Sequence, residues 1–267
     1  MKLRTFLAAA LAMTPLALAA CSDSTGTDAP GQVQLRFGVA TGVRALKSPT
    51  GALAAVGGPL AVTGDNGSLS ITSIHVVLDK FQLRGVRNQP CTGGAGSSDD
   101  DSGECEFDVG PLFVDLPLDG SQLAVATGTV PAGTYDHVRF RVKDLDTDGD
   151  DDGDDDGDDA AEAALFQQVR AQFPDWPEEA SMRVTGTFTP TGGAARPFTA
   201  YVDAEVRLML PISPPLVVTE GSGAGQVTVL VDPAVIFRTG SQVIDLSQFN
   251  GELEFRDGAF RGESGHR

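Results

Sequence analysis

Apolar and polar residues alternate along much of the chain. Gln32-Val33-Gln34-Leu35-Arg36-Phe37-Gly38-Val39 is the first clear case. A period of two is the signature of a strand with one face buried. Ala45 to Gly67 loses the alternation and, rich in Gly, Ala and Pro, predicts a long connection. Strand character returns from Leu69 to Leu83 through Ile71, Ile74, Val76, Val77, Leu78 and Phe81. Phe107 to Leu118 follows, with Val109, Leu112, Val114 and Leu116 at alternate or near-alternate positions.

Leu123 to Val142 carries a turn written in its chemistry. In Val130-Pro131-Ala132-Gly133-Thr134-Tyr135 the proline presets φ, and Gly133 is expected to supply a position with φ > 0. The strand leaving it is expected to put Tyr135, His137, Arg139 and Arg141 on one side, and Val138, Phe140 and Val142 on the other. The period then changes once. From Ala160 to Phe173, Leu165, Val169 and Phe173 recur at i, i+4 and i+8, with Ala161 and Phe166 beside them, which predicts an amphipathic helix. Asp158 or Asp159 can cap its N-terminus, where the helix dipole also favours an anion, and Pro174 and Pro177 end it. Met182 to Thr189, Phe198 to Leu210, Gly225 to Val231 and Val243 to Leu246 are further strand candidates, and Glu252 to Phe255 and a polar tail close the chain. Many short strands between Gly and Pro turns predict a mainly β chain. We expect an antiparallel β-sandwich, immunoglobulin- or transthyretin-like, with one short surface helix after an acidic loop.

Charge sharpens this picture. The formal net charge is −18 over 267 residues, and Asp144 to Asp159 alone holds 11 acidic residues. The acidity is therefore largely one local feature. No basic patch stands out that would track a phosphate backbone, which argues against a nucleic-acid partner.

The N-terminus reads as an address. Lys2 and Arg4 precede an apolar run, Phe6 to Leu18, broken only by Thr14 and Pro15. At ~13 residues the run is shorter than the ~20 a bilayer core requires. Leu18-Ala19-Ala20-Cys21 resembles the lipobox of bacterial lipoproteins. That resemblance implies a diacylglyceryl group on the Cys21 thiol, cleavage before it so that Cys21 becomes the mature N-terminus, and a membrane partner reached through the N-terminal lipid. Several acyl chains on one residue exceed the threshold for stable anchoring. Ser22 in the next position favours, by the same resemblance, the outer membrane of the cell envelope. Protein partners are not legible. The expected layout is a signal peptide at 1–20, a flexible tether at 21–31, a sandwich at 32–255 with an acidic insertion at 144–159, and a polar tail at 256–267.

An exported chain meets an oxidising compartment, so the two remaining cysteines, Cys91 and Cys105, read as a disulfide. Closing that loop would constrain the unfolded chain by about 3 kcal/mol. A two-cysteine metal site lacks partner ligands at suitable spacing. Asp99, Asp100, Asp101 and Glu104 within the loop read as a solvated tip.

Phe113-Val114-Asp115-Leu116-Pro117-Leu118, then Gly128-Thr129-Val130-Pro131-Ala132-Gly133-Thr134-Tyr135 and Val138-Arg139-Phe140, resemble a family of uncharacterised bacterial lipoproteins. Its members carry a domain of unknown function with a "VDL … LPAGTY … IRL" core behind a lipobox. The likeness spans Gln32 to Val142, with a weaker echo from Arg183 to Val231. It implies a β-sandwich and brings no catalytic residues with it. The Asp-rich insertion departs from the family core.

That insertion is the sharpest chemical signal. Asp144-Leu145-Asp146-Thr147-Asp148-Gly149 fits D-x-D-x-D-G, the front half of an EF-hand-type calcium loop. In this register Asp144, Asp146 and Asp148 are ligands, Asp150 gives a backbone carbonyl, Asp152 acts through water, and Asp155 stands where the motif wants Glu. Asp148, Asp150 and Asp152 with Gly153, or Asp152, Asp154 and Asp156 with Gly157, form overlapping registers. The same run reads equally as a solvated, self-repelling acidic tract, since no helix precedes it.

Catalysis finds little support. His266 lies near the end, and His75 and His137 sit in strand patterns, where a lone histidine is usually structural or on the surface. G-x-S-x-G, H-E-x-x-H and P-loop motifs are absent from the sequence. Trp176, Tyr135 and Tyr201 are few platforms for stacking sugars. The expectation is a non-enzymatic cell-envelope lipoprotein of binding or structural type, binding calcium weakly through the acidic loop. The alternative is a carbohydrate-binding module or hydrolase whose site is assembled from scattered carboxylates.

Overall fold

A computed structural model of the chain describes residues 31–40, 59–86, 106–144, 159–204, 206–221, 224–248 and 260–266. In chain order these form β1 (Gly31–Val39), β2 (Leu60–Gly64), β3 (Gly67–Gly85), β4 (Glu106–Val109), β5 (Leu112–Asp115), β6 (Gln122–Val130) and β7 (Gly133–Val142). Then follow α1 (Asp159–Gln172), β8 (Met182–Pro190), β9 (Arg196–Val202), β10 (Val206–Val218), β11 (Gly225–Val231), α2 (Pro233–Ile236), β12 (Arg238–Thr239), β13 (Gln242–Val243) and β14 (Phe260–His266). The fold is mainly β and sandwich-like, as the alternation requires.

In β1 the alternate residues Val33, Leu35, Phe37 and Val39 are buried. Each such side chain removed from water contributes roughly 1.5–3 kcal/mol. The hydrogen-bonded order is β6-β1-β11-β14-β10-β7-β3-β8-β9. The core lies between the two halves of this path: Phe37 of β1 meets Phe140 of β7 edge-on, with ring centroids 6.2 Å apart. Most neighbours are antiparallel. β1 and β11 are the main exception, running parallel from Val33↔Gly225 to Val39↔Val231. Alternation tells which face is buried but not which way the partner runs. A parallel pair needs a long crossover, and here the whole of the second half-sheet supplies it.

The 19-residue β3 is the spine. One of its edges pairs with β8 from Gly67 to Val76 and with β7 from Leu78 to Gly85. β7 and β8 are thus collinear, with the chain leaving at Val142 and returning at Ser181, whose carbonyl accepts from the Val77 amide at 2.8 Å. β10 and β9 continue the same break one strand further out, pairing Val206 with Val142 and Val202 with Met182. Residues 143–181 are therefore an excursion from a single point of the sheet. It contains the acidic segment and α1.

The structure departs from the sequence reading in several places. β6 and β7 do not pair with each other: β6 pairs with β1, and β7 with β3 and β10, so the Pro131 turn carries the chain between half-sheets. Gly133 is not among the positive-φ glycines of the described residues, which are Gly67, Gly120, Gly192, Gly221 and Gly240. Tyr135 is fully buried alongside Val138 and Phe140, not on the side of His137 and Arg139. The cause is a bulge: Arg84 pairs with His137 and Gly85 with Tyr135, leaving Asp136 as the extra residue that switches faces. The Tyr135 hydroxyl donates to the Pro131 carbonyl at 2.8 Å and closes the turn. This is the tyrosine-corner geometry of β-sandwiches. Burial pushes that phenol up to about 12.

The long connection expected from Ala45 to Gly67 contains β2, which forms a hairpin with β3. Phe198 to Leu210 is two strands, and Val243 to Leu246 contributes only Val243 to β13. The stretch read as a polar tail contains β14, paired antiparallel with β11 along its whole length.

Candidate functional site

The excursion is fastened where it leaves the sheet. Asp79 is the extra residue of a second bulge in β3, between Leu78↔Val142 and Lys80↔Arg141. Its side chain is 5% exposed and accepts a hydrogen bond from Arg141 Nε. A carboxylate this deep requires such a partner, since removing one member of a buried pair typically costs about 3–5 kcal/mol. Glu162, half-buried, stands in the first turn of α1. Burial, then interaction with the Asp79 carboxyl, push the Glu162 carboxyl up to about 7; Lys143 and Arg141 oppose the rise. Two carboxyls from different elements therefore meet at the root of the acidic segment, with two cations beside them.

α1 lies on the outer face of the β3 half-sheet and is more than a surface addition. Phe166 and Val169 pack with Val77, Trp176 and Ala180 into a second core, with Leu165, Phe173, Phe113 and Tyr201 around it. Ala161, expected on this face, is exposed. Trp176 is 1% exposed, and its indole N–H donates to the Ala180 carbonyl at 2.8 Å. The cover explains why β3 is buried on both faces from Ile74 to Asp79. His75 sits at the margin of this core, stacked on Phe113 at 5.5 Å and edge-on to Phe173 at 4.7 Å. Its Nε2 is 3.6 Å from Asp115, and its Nδ1 has no hydrogen-bond partner among the described residues. Burial, with help from Arg183 and against Asp115, holds its pKa below the ordinary range. His75 is thus a neutral packing residue. Arg183 lies 4.7 Å from the Phe173 ring centroid and 6.0 Å from that of Tyr201. His137, by contrast, is partly exposed and bonded to Asp136 at 2.7 Å.

A shallow, open groove lies beside the end of β5, lined by Pro59, Thr72, Asp115, Leu118 and Asp119 among others. It holds two carboxylates and no aromatic ring. Hydrogen bonds from the Ser121 side chain and backbone hold Asp119 below the usual carboxylate range. Glycoside hydrolysis needs one carboxylic acid kept protonated, and Asp119 is the opposite case.

Cys21, Cys91, Cys105, Asp146, Asp148, Asp150, Asp152 and Asp155 lie outside the described residues. Asp144 is described and half-buried, two residues past the end of β7. Asp159 opens α1, and the second proposed cap, Asp158, is outside the described residues. Among the described residues no three His, Cys, Asp or Glu side chains converge as a metal site, and no helix is long and apolar enough to cross a membrane. Asp79, Arg141 and Glu162 were not singled out in the sequence. Their signals were present: a lone carboxylate inside the apolar run from Ile74 to Phe81, and a glutamate three and four residues before Leu165 and Phe166, on the face that packs.

Fold and junction together define a mainly β, sandwich-like protein that carries an acidic excursion fastened at both ends. Compared with protein-family models, curated proteins and solved structures, the chain finds no match.

Proposed function

We propose that the protein is a non-enzymatic lipoprotein of the cell envelope, of binding or structural type, held by lipid on Cys21 at the outer membrane. Its acidic segment takes calcium weakly, through Asp144, Asp146, Asp148 and Asp152, the Asp150 carbonyl, and Asp155. Cys91 and Cys105 are joined as a disulfide. The observation that carries the reading is the anchorage of the acidic segment. It leaves the sheet at Val142 and rejoins through α1, which is packed by its own small core. Binding loops are commonly of this kind, displayed by a rigid scaffold. A divalent cation would relieve the mutual repulsion of carboxylates lying within a Debye length of ~8 Å. Binding coupled to the fold through α1 would raise its stability by mass action.

The carbohydrate or hydrolase alternative gains less. Trp176 and Tyr135 are buried inside the protein and offer no ring face to a sugar. The carboxyl with a raised pKa, Glu162, is half-buried in the first turn of α1 and interacts with Asp79 rather than opening to a groove. The test has two arms. Mass spectrometry of the mature chain should find Cys21 acylated and first, and Cys21→Ser should release the protein from membranes. Calcium should raise the melting temperature of the wild type, but not of a variant with Asp144, Asp146 and Asp148 changed to Asn. An unmodified N-terminus elsewhere, or equal melting shifts in both proteins, contradicts the reading.

A further inference from the structure

Charge is concentrated at two places in this chain, and they share a boundary. One is the acidic segment. The other appears only when the strands pair. In β7, Val138, Phe140 and Val142 face the core, which leaves Arg139 and Arg141 on the outer face of the sheet. β10 sets Arg207 opposite Arg141 and Met209 opposite Arg139. From the other side β3 sets Lys80 opposite Arg141 and Arg84 opposite His137. Six of the 19 Lys and Arg thus gather around one patch: Lys80, Arg84, Arg139, Arg141, Arg207 and, where β7 ends, Lys143. No run of the sequence shows it, because three strands contribute.

Residues paired in this way have Cβ atoms about 4.5–5.5 Å apart, and like charges so placed repel. Arg207, Arg141 and Lys80 form such a row. Asp79 offsets Arg141. Among the described residues Arg139 and Arg207 have no ion-pair partner. Arg207 is exposed, and Met209 beside it is the most exposed large apolar side chain among the described residues, at 53%. The nearest acidic positions in the ladder are Glu106 and Asp108 of β4, at the edge away from Arg207. Asp136 is bonded to His137. The face is therefore cationic toward β10 and the end of β7.

The acidic segment starts at this patch. It departs after Lys143 and returns at Asp159, the first residue of α1, which packs on the same outer face. The 14 residues 145–158 join those points and hold nine aspartates. Running out and back, they reach about 23 Å at ~3.3 Å per residue. Arg139 lies four strand residues from Lys143, a distance of about 13 Å. The segment is long enough to cross Arg139 and Arg207, and it carries the complementary charge.

We propose that the outer face of β7 and β10, centred on Arg139 and Arg207, is the docking surface for residues 145–158 of the same chain. Calcium and this face are then alternative counter-charges for the same aspartates. The docking itself does not rest on calcium binding.

The test runs in chelator, so calcium plays no part and the two readings fail separately. The receptor is the detergent-solubilised mature chain with the nine aspartates from Asp146 to Asp158 changed to Ser. The probe is a synthetic peptide of residues 144–159. In NMR titrations the peptide should shift the Arg139 and Arg207 Nε–H resonances of that chain. Its affinity should fall about ten-fold from 0.1 M to 1 M salt, as the Debye length shrinks from ~10 Å to ~3 Å. The wild type should bind the peptide more weakly, because its own segment is present at effectively millimolar concentration. For a peptide dissociation constant of ~0.1 mM the difference is about ten-fold. Arg139→Gln with Arg207→Gln, made in the Ser-substituted chain, should abolish binding. Absent binding, equal affinity for the wild type and the Ser-substituted chain, or binding that survives both arginine changes would overturn the proposal. So would a salt-sensitive dimer of the wild type that the Ser-substituted chain does not form, since that would put the segment on a second copy. Should the arginine variant fold poorly, the wild type alone decides: raising salt should move its Arg139 and Arg207 resonances toward those of the Ser-substituted chain, and unmoved resonances would refute the docking.

Discussion

Phe166→Ala probes the fastening of the acidic excursion. Phe166 is 3% exposed and is the largest apolar side chain that α1 buries outright. A buried Phe→Ala change costs about 3–5 kcal/mol, part of it the cavity left behind. The second core is thin and its rim includes the half-buried Leu165 and Phe173, which can close over part of the void. The low end, about 3 kcal/mol, is therefore expected. Loss of the contact with the Arg170 guanidinium, 5.3 Å from the Phe166 centroid, adds at most a few tenths, because Arg170 is exposed. At ~1.4 kcal/mol per tenfold, the undocked helix becomes roughly a hundred times more populated. The chain has one tryptophan, Trp176, and it lies in this core, so its fluorescence reports the docking alone. In urea the Trp176 transition should move to lower concentration and precede the loss of strand circular dichroism, which follows the main core. An unchanged emission maximum and midpoint in Phe166→Ala would refute the packing of α1 on β3.

Other outcomes follow from the same structure. Arg141→Gln leaves the Asp79 carboxylate without its counter-charge and should destabilise the protein by about 2–4 kcal/mol in urea titrations at pH 7. Tyr135→Phe removes the bond to the Pro131 carbonyl and should cost about 1–3 kcal/mol by the same assay. Gly67→Ala forces a Cβ to within 2.4 Å of the Thr189 carbonyl at φ +153°, and should lower the melting temperature by several degrees, roughly 2–4 °C per kcal/mol for a domain of this size. His75 binds its proton less readily in the fold than in the unfolded chain, so stability should fall as pH drops below about 6.5, and His75→Phe should flatten that acid limb.

Much of this architecture can be read from period alone. Val33, Leu35, Phe37 and Val39 announce β1, and the change of period at Ala160 announces α1, because burial on one face forces both patterns. Features set by backbone pairing cannot be read that way. Nothing in the sequence marks Asp136 or Asp79 as a bulge, and only the register against neighbouring strands makes each one. Phe260-Arg261-Gly262-Glu263-Ser264-Gly265-His266 has no apolar alternation, yet it is strand because β11 offers it an edge. The carboxyl junction was hidden for a related reason. Asp79 and Glu162 lie far apart in sequence and become one feature only when α1 folds back over β3.

The central claim is that the anchored acidic segment binds calcium, and calorimetry tests it most directly. Calcium is titrated into the detergent-solubilised mature chain and into the variant with Asp144, Asp146 and Asp148 changed to Asn. The wild type should bind with a dissociation constant of roughly 10⁻⁴–10⁻³ M and prefer calcium to magnesium, which demands tighter octahedral geometry. The variant should lose that heat. Equal heats in both proteins, or no preference for calcium over magnesium, would contradict the account.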